Sequence, residues 1–240
     1  MLVKTRGIVF RTVKYGETSV IADIYTAARG LQQYYLKGLR SEKSRMKANL
    51  VQVMSILDLE AYYREDKPLN SIREARLAYV YQSLPFDVRK GAIALFIAEV
   101  ARKTIREVEP NPPLFDFLSA VLVALDTADS HFANIHLYFL AHLSAYLGFF
   151  PTEGYSAETP CFDLQEGGFV PFEPDKPALM DPETSFSLSL LLSTSLEKSG
   201  EVPLSRNARN ALLNKLLEYY RLHAGHFGEI QSHRILQEVF

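Results

Sequence analysis

Cysteine occurs once in the 240 residues, at Cys161, so the chain can close no internal disulfide and assemble no CxxC…CxxC zinc site. Long hydrophobic runs are also missing. Nowhere do 18 apolar residues stand together, and charges interrupt each apolar run of the opening "MLVKTRGIVFRTV". Neither a membrane span nor a signal peptide is expected, and cytoplasmic residence follows as the default expectation. Three catalytic signatures are absent as well: GxxxxGK[ST], GxGxxG after a strand, and GxSxG. Their absence argues against a P-loop ATPase, a dinucleotide enzyme and a serine hydrolase of the elbow type. The remaining carboxylate pairs, Asp163 with Glu166 and Asp175 with Asp181, fall in a polar loop where solvation accounts for them. No enzymatic activity is expected.

Six histidines raise the question of metal. His223 and His226 stand i, i+3 at the end of an expected helix, with His233 nearby, and Cys161 is far off in sequence. Dipole interaction and carbonyl capping at a helix C-terminus explain such histidines without a metal. His131, His136 and His142 share one helical stretch at spacings that scatter them over different faces, as ordinary helix residues.

What is present is a folded protein's composition, 48% apolar and 22% charged, with an uneven charge distribution beneath a net charge of −2. Residues 1–80 carry 14 Lys+Arg against 8 Asp+Glu, whereas residues 81–240 carry 12 against 20. A basic module is thus joined to an acidic one, which suggests that the basic part meets a polyanion.

The two modules also differ in period. In residues 1–80, "RGIVFRTVKYGETS", "SVIADIYTAARG" and "LQQYYLKG" read as strands ended by Gly16, Gly30 and Gly38. "LVQVMSILDLEAYYR" alternates over Val51, Val53, Ser55, Leu57, Leu59, Ala61 and Tyr63, and "SIREARLAYVY" reads as a fifth strand passing into helix. An antiparallel sheet or small barrel follows. Beyond it the spacing turns to three and four: Ile93, Phe96, Ile97, Val100, Ile105 and Val108 mark one helix face, "EPNPPLFDFLSAVLVALDTA" a second helix, and "HFANIHLYFLAHLSAYLGF" a third that Gly148 ends. The Pro/Gly-rich stretch at about 150–183 reads as a loop with a hairpin turned at Glu166-Gly167-Gly168. "SFSLSLLLSTSLEK" is a helix by its neighbours. Ser205 caps a helix with the stripe Leu212, Leu213, Leu216, Leu217 and Tyr220, closed by Gly225, and "QSHRILQEVF" forms a last helix. The fold class is therefore mixed α+β, with a barrel domain over 1–80 and a helical domain over 81–240.

The densest positive charge is "LKGLRSEKSRMK", where Lys37, Arg40, Lys43, Arg45 and Lys47 face a single acid, Glu42. A solvated surface loop would explain an isolated run of this kind. Here the surplus continues into Lys4, Arg6, Arg11, Lys14 and Arg29, and aromatics are interleaved at Phe10, Tyr15, Tyr25, Tyr34 and Tyr35. Cations that follow a phosphate backbone beside aromatic faces suit a binder of single strands. Phe10 and Tyr25 are expected in the core. Tyr34 and Tyr35 point to opposite strand faces, so at most one can serve as a stacking platform. Two other readings stay open: a protein-interaction scaffold whose basic barrel docks an acidic partner, and an enzyme that uses the same cations on a phosphorylated substrate.

"RGIVFRTVKYGETSVIADIYT", "GLQQYYLKGLRSEKSRMKANLVQVMSILDLEAYYR", "LFIAEVARKTIREVEPNPPLFDFLSAVLVALD", "FLAHLSAYLGFFP" and "FGEIQSHRILQEVF", in that order, resemble the RecO family of recombination mediators over nearly the whole chain. The resemblance implies an N-terminal OB-fold and a helical domain that bind single- and double-stranded DNA and anneal complementary strands. It also implies joint action with RecR to load RecA onto DNA covered by single-strand-binding protein. It places Lys37, Arg40, Lys43, Arg45 and Lys47 on the family's DNA-binding basic loop; Arg11, Lys14 and Tyr35, from the pattern of charge and aromatics, are expected to join them at the DNA. It further implies that the helical domain takes up the acidic, phenylalanine-ended tail of single-strand-binding protein, with Arg102, Lys103 and Arg106 on one helix or Arg206, Arg209 and Lys215 on another as rim cations. Association with the nucleoid and no membrane partner follow. Many members of that family hold zinc with four cysteines at the place of residues 151–174 here. With Cys161 alone there, no cofactor is expected, and Phe162, Leu164 and Phe169 are expected to hold the loop instead.

Overall fold

The computed structural model describes residues 1–37, 48–64, 69–106, 108–225 and 227–240. They form two compact units, Met1–Phe86 with Ala98–Val123, and Asp87–Ile97 with Ala124–Phe240. Helices α1 (Val88–Thr104) and α2 (Pro112–Thr127) contribute residues to both.

The first unit contains strands β1 (Leu2–Tyr15), β2 (Ser19–Thr26), β3 (Gly30–Leu36), β4 (Ile56–Tyr62) and β5 (Asn70–Leu77), closed into a barrel in the order β1-β2-β3-β5-β4. Closure comes from a short parallel pairing, Tyr34 with Asn70 and Tyr35 with Ser71, among otherwise antiparallel ladders. This barrel is the OB-fold architecture. β1 is long enough to pair with β4 over Leu2–Ile8 and with β2 over Gly7–Tyr15, and a bulge between Val9 and Arg11 lets it bend from one to the other. Gly7 sits at the crossover because there is no room for more: a Cβ there would lie 2.6 Å from Ile24 Cγ2 and 2.9 Å from Leu59 Cδ1.

Val9, Val20, Ala22, Ile24, Tyr34, Leu36, Leu57, Leu59 and Ala61 fill the interior, each full-sized aliphatic side chain contributing roughly 1.5–3 kcal/mol on burial. Phe10, next to Val9 in the strand, points the other way and stacks on Tyr25 with centroids 5.7 Å apart, and Tyr25 in turn stacks on Phe115 of α2 at 6.3 Å. Both expected core aromatics are buried.

The fourth strand starts later than its alternation suggests. Residues Ala48–Val51 form a 3-10 turn, Met54 adopts a left-handed φ of 69°, and only from Ile56 does the pattern become a strand. Val51 is buried, but as part of the turn. The fifth strand does not run into helix either, since β5 ends at Leu77 and α1 begins at Val88. At the other end of α1, Ile105 is buried just past the helix while Val108 is exposed and off it.

The second unit contains α3 (Ile135–Tyr146), the hairpin strands β6 (Cys161–Asp163) and β7 (Gly168–Val170), α4 (Pro182–Leu192), α5 (Arg206–His223) and α6 (His233–Val239). The hairpin turns where expected, with Gly167 at φ 71°. Phe162 and Leu164 are fully buried, and Phe162 meets Phe169 at 5.2 Å and Tyr219 at 5.5 Å. Asp163, itself buried, pairs with Lys176 at 2.8 Å. Asp181 caps α4 through the Thr184 amide at 2.9 Å, and Ser205 caps α5 through the Ala208 amide at 3.1 Å. The hydroxyls of Tyr219 and Tyr220 donate to the carbonyls of Phe149 and Leu140, both at 2.7 Å.

Three expectations are corrected here. His131 precedes α3 with φ 59° and is no helix residue. The positive φ near the end of α5 is absent at Gly225, and the Ala224 amide closes the helix on Tyr220 O. His223 reaches across to Leu164 O at 2.8 Å, and His233 sits at the start of α6 with Nδ1 2.6 Å from Ile230 O; His226 lies outside the described residues. Among the described residues, no helix is long and apolar enough to cross a membrane.

Candidate nucleic-acid interface

Strand register decides which side chains share a face. Lys14, Val20 and Leu36 form one cross-strand row and Thr12, Ala22 and Tyr34 another; Val20, Leu36, Ala22 and Tyr34 are buried in the barrel. The alternate rows, Val13 with Ile21 and Tyr35, and Arg11 with Asp23 and Gln33, therefore face outward. Tyr15 opposite Ser19 completes that outer face.

On it, Tyr15 and Tyr35 meet edge to face with centroids 5.8 Å apart, and the Tyr35 hydroxyl lies 3.0 Å from Ser19 Oγ. Tyr15 is 57% exposed and Val13 42% exposed, leaving an open apolar ledge in water. Lys37 follows β3 at the same end, next to the Ser19 level. Tyr35 thus has the outward orientation expected of one member of the Tyr34/Tyr35 pair. Tyr15 was legible too: period 2 from Arg11 passes through Val13 and reaches it.

The register also separates two candidates. Arg11 and Lys14 are three residues apart in one strand and lie on opposite faces, with Lys14 exposed at the strand's end on the interior row. Arg11 faces out opposite Asp23, whose carboxylate accepts a hydrogen bond from Gln33 Nε2 at 2.8 Å. Of the five cations in the basic run, Lys37 is exposed and described; Arg40, Lys43, Arg45 and Lys47 lie outside the described residues.

Most of the other described barrel cations are engaged. Lys4 pairs with Glu60 at 2.7 Å, Arg73 with the same carboxylate at 3.5 Å, and Arg76 with Asp58 at 3.1 Å. Glu60 is held below its usual range chiefly by the Lys4 hydrogen bond. Lys4, Arg6 and Arg76, with Asp58, Glu60 and Glu74, line an open cavity of about 440 Å3 whose charges balance, which offers phosphate no net attraction. Arg6 lies over the Phe115 ring at 5.2 Å and pairs with Asp116 at 3.3 Å, and Arg29 covers Tyr63 at 4.6 Å. Among the described residues, Arg11, Lys14 and Lys37 have no carboxylate partner.

Of the cations expected at a peptide groove, Arg206, Arg209 and Lys215 lie on α5, and those of the first set are split at the end of α1. Arg102 and Lys103 lie in the last turn of α1, but Arg106 stands two residues beyond the helix, and Lys103 pairs with Glu99 at 2.8 Å. On α5, Arg206 donates to Gln237 O and to Glu238 O, the carbonyl end of α6. Arg209 donates to Leu204 O at 2.7 Å, and Lys215 pairs with Glu218 at 3.0 Å. Burial lowers the pKa of Arg209, with Arg206 adding repulsion.

Zinc bound through cysteines finds no match in the residues present. Cys161 is the one thiol in the chain, it is buried in β6, and burial pushes its pKa up, away from the thiolate that a metal needs. Among the described residues, no three His, Cys, Asp or Glu side chains converge as ligands.

The family model described as Recombination protein O N terminal matches residues 1–81, and Recombination protein O C terminal matches residues 85–229. A protein of Phocaeicola vulgatus named DNA repair protein RecO is 39% identical over 241 residues, with both chains covered in full. Proteins of the same name from Christiangramia forsetii and Bacteroides fragilis are 36% and 35% identical over the same span, again with full coverage.

Proposed function

The chain belongs to the RecO family of DNA repair proteins, and from that premise we propose that it is a DNA-binding recombination mediator that uses the outer face of β1–β3 as its DNA surface. The observation that carries the reading is the coincidence on that face of an open Tyr15/Tyr35 pair with exposed cations that no carboxylate claims. Arg11 and Lys37 contact phosphates there, and Lys14 and the basic residues Arg40, Lys43, Arg45 and Lys47 extend the contact. Phosphate contacts ignore base identity, so single and double strands both bind, and two complementary strands held with their repulsion screened can anneal.

The mediator acts with RecR and helps RecA load onto DNA covered by single-strand-binding protein. The helical domain takes up that protein's acidic tail, with Arg102, in the last turn of α1, as a candidate cation bound neither to a carboxylate nor to a backbone carbonyl among the described residues. No covalent chemistry and no metal are involved, and the protein works in the cytoplasm at the nucleoid.

The test is anisotropy of a labelled single-stranded oligonucleotide over a salt series, together with the rate at which two complementary oligonucleotides anneal. Three phosphate contacts predict a log–log slope of roughly −2, at about −0.7 per contact. They also predict faster annealing that salt suppresses in parallel. Weak, salt-insensitive binding would instead assign the cations to an acidic protein partner.

A further inference from the structure

The helical unit holds an aromatic slot that the DNA-binding reading leaves unused. It opens between the loop at Glu153–Tyr155 and the exposed side of α4, encloses about 260 Å3, and is lined by Tyr155, Phe169, Ser189, Leu192 and Glu153 among others. That volume suits one or two side chains and falls short of a drug-sized ligand. The Tyr155 ring stands 5.6 Å from Phe169 and 5.5 Å from Phe186, and Tyr155 and Phe186 remain 37% and 46% exposed. Two large rings kept wet beside a cavity are an unsatisfied apolar surface.

Charge selects the occupant. The lining contains the carboxylate of Glu153 and no cation. Residues 150–185 carry eight carboxylates against one cation, Lys176, and Lys176 is already bonded to Asp163 at 2.8 Å. Glu183, exposed in the first turn of α4, stands three residues before Phe186, so the two share a helix face. An acidic tail or a nucleic acid would be repelled. A cation over an open aromatic ring, with carboxylates beside it, is attracted twice.

We propose that this slot docks a basic peptide segment of a partner protein. A leucine-sized side chain enters the cavity, and a neighbouring arginine lies over Tyr155 and Phe186 with Glu153 and Glu183 opposite its charge.

The probe is a fluorescein-labelled hexapeptide, Arg-Leu-Arg-Arg-Leu-Arg, titrated with the full chain at low salt, beside a matched peptide with glutamate in place of arginine. The basic peptide binds and the acidic one does not. Tyr155→Ala weakens binding about tenfold, in line with loss of an aromatic anchor. Glu153→Lys with Glu183→Lys, surface changes that leave the core untouched, weaken it by at least as much, and oligonucleotide binding is unaltered in both variants. Failure of the wild type to bind the basic peptide overturns the proposal. So does undiminished binding by the double charge reversal, which remains decisive even if Tyr155→Ala does not fold.

Discussion

In the barrel, Lys4, Arg6, Arg73 and Arg76 are answered by carboxylates on neighbouring elements, while Arg11, Lys14 and Lys37 at the β1–β3 side are not. In the helical unit, Arg206 and Arg209 are turned onto backbone carbonyls and Lys176 onto a buried acid. The same residue types thus serve two ends: in one region some remain available to a ligand, and in the other they hold loops and helix ends in place. A surplus of positive charge marks out the barrel module in the sequence. Which cations are free to meet a polyanion depends on register and packing.

Several substitutions bear on that division, the largest effect coming from the helical core. Phe162→Ala, which removes a fully buried ring between Phe169 and Tyr219, is expected to cost about 4 kcal/mol in denaturant unfolding. Oligonucleotide affinity of the folded protein stays as it was; a parallel loss of DNA binding would break the separation of roles. Arg209→Met leaves the Leu204 carbonyl without its charged donor and is expected to cost about 2 kcal/mol, with no change in the salt dependence of DNA binding.

Acid should act on the helical unit first. Burial, with the Arg209 charge behind it, pushes the His136 pKa down to about 3. The unfolded chain therefore binds the proton that the folded one refuses. Stability contributed by neutral His136 is complete above about pH 6.5 and declines as pH falls toward 3. Between pH 7 and 5 the loss is about 2 kcal/mol, and His136→Phe, which keeps the ring against Phe96 and Phe240, should flatten that part of the stability curve. Asp163 adds a second decline at lower pH. Burial opposes its ionisation, but Lys176 and the amides of Gln165 and Glu166 outweigh burial and hold the carboxyl below its usual range. On the barrel, Tyr15→Ala is expected to weaken single-strand binding by about 1 kcal/mol through lost stacking, and to leave stability within about 0.5 kcal/mol as an exposed change.

Much of the barrel was legible because its signals are local. Gly16 directly follows β1, Leu57, Leu59 and Ala61 alternate cleanly, and in the helical unit Ser205 caps as its sequence suggests; Gly30, read as the end of the second strand, instead opens β3, because β2 already stops at Thr26. Where the reading failed, a nonlocal or backbone term prevailed. Met54 in a left-handed conformation breaks an alternation that runs unbroken in sequence from Val51 to Tyr63. Arg206 and Arg209 look like solvated helix cations until α6 and the Leu204 turn are in view. Arg11 and Lys14 form a cluster in sequence, yet strand geometry sends them to opposite faces, and the bulge at Val9/Arg11 that sets their phase carries no residue signature.

The most direct test compares an unpaired barrel cation with a paired one, Arg11→Ala against Arg76→Ala, by oligonucleotide anisotropy across a salt series. Loss of one phosphate contact in Arg11→Ala predicts a log–log slope shallower by about 0.7, with the slope of Arg76→Ala equal to that of the wild type. A slope unchanged in Arg11→Ala, or flattened equally in both variants, would contradict the assignment of the β1–β3 outer face as the DNA surface.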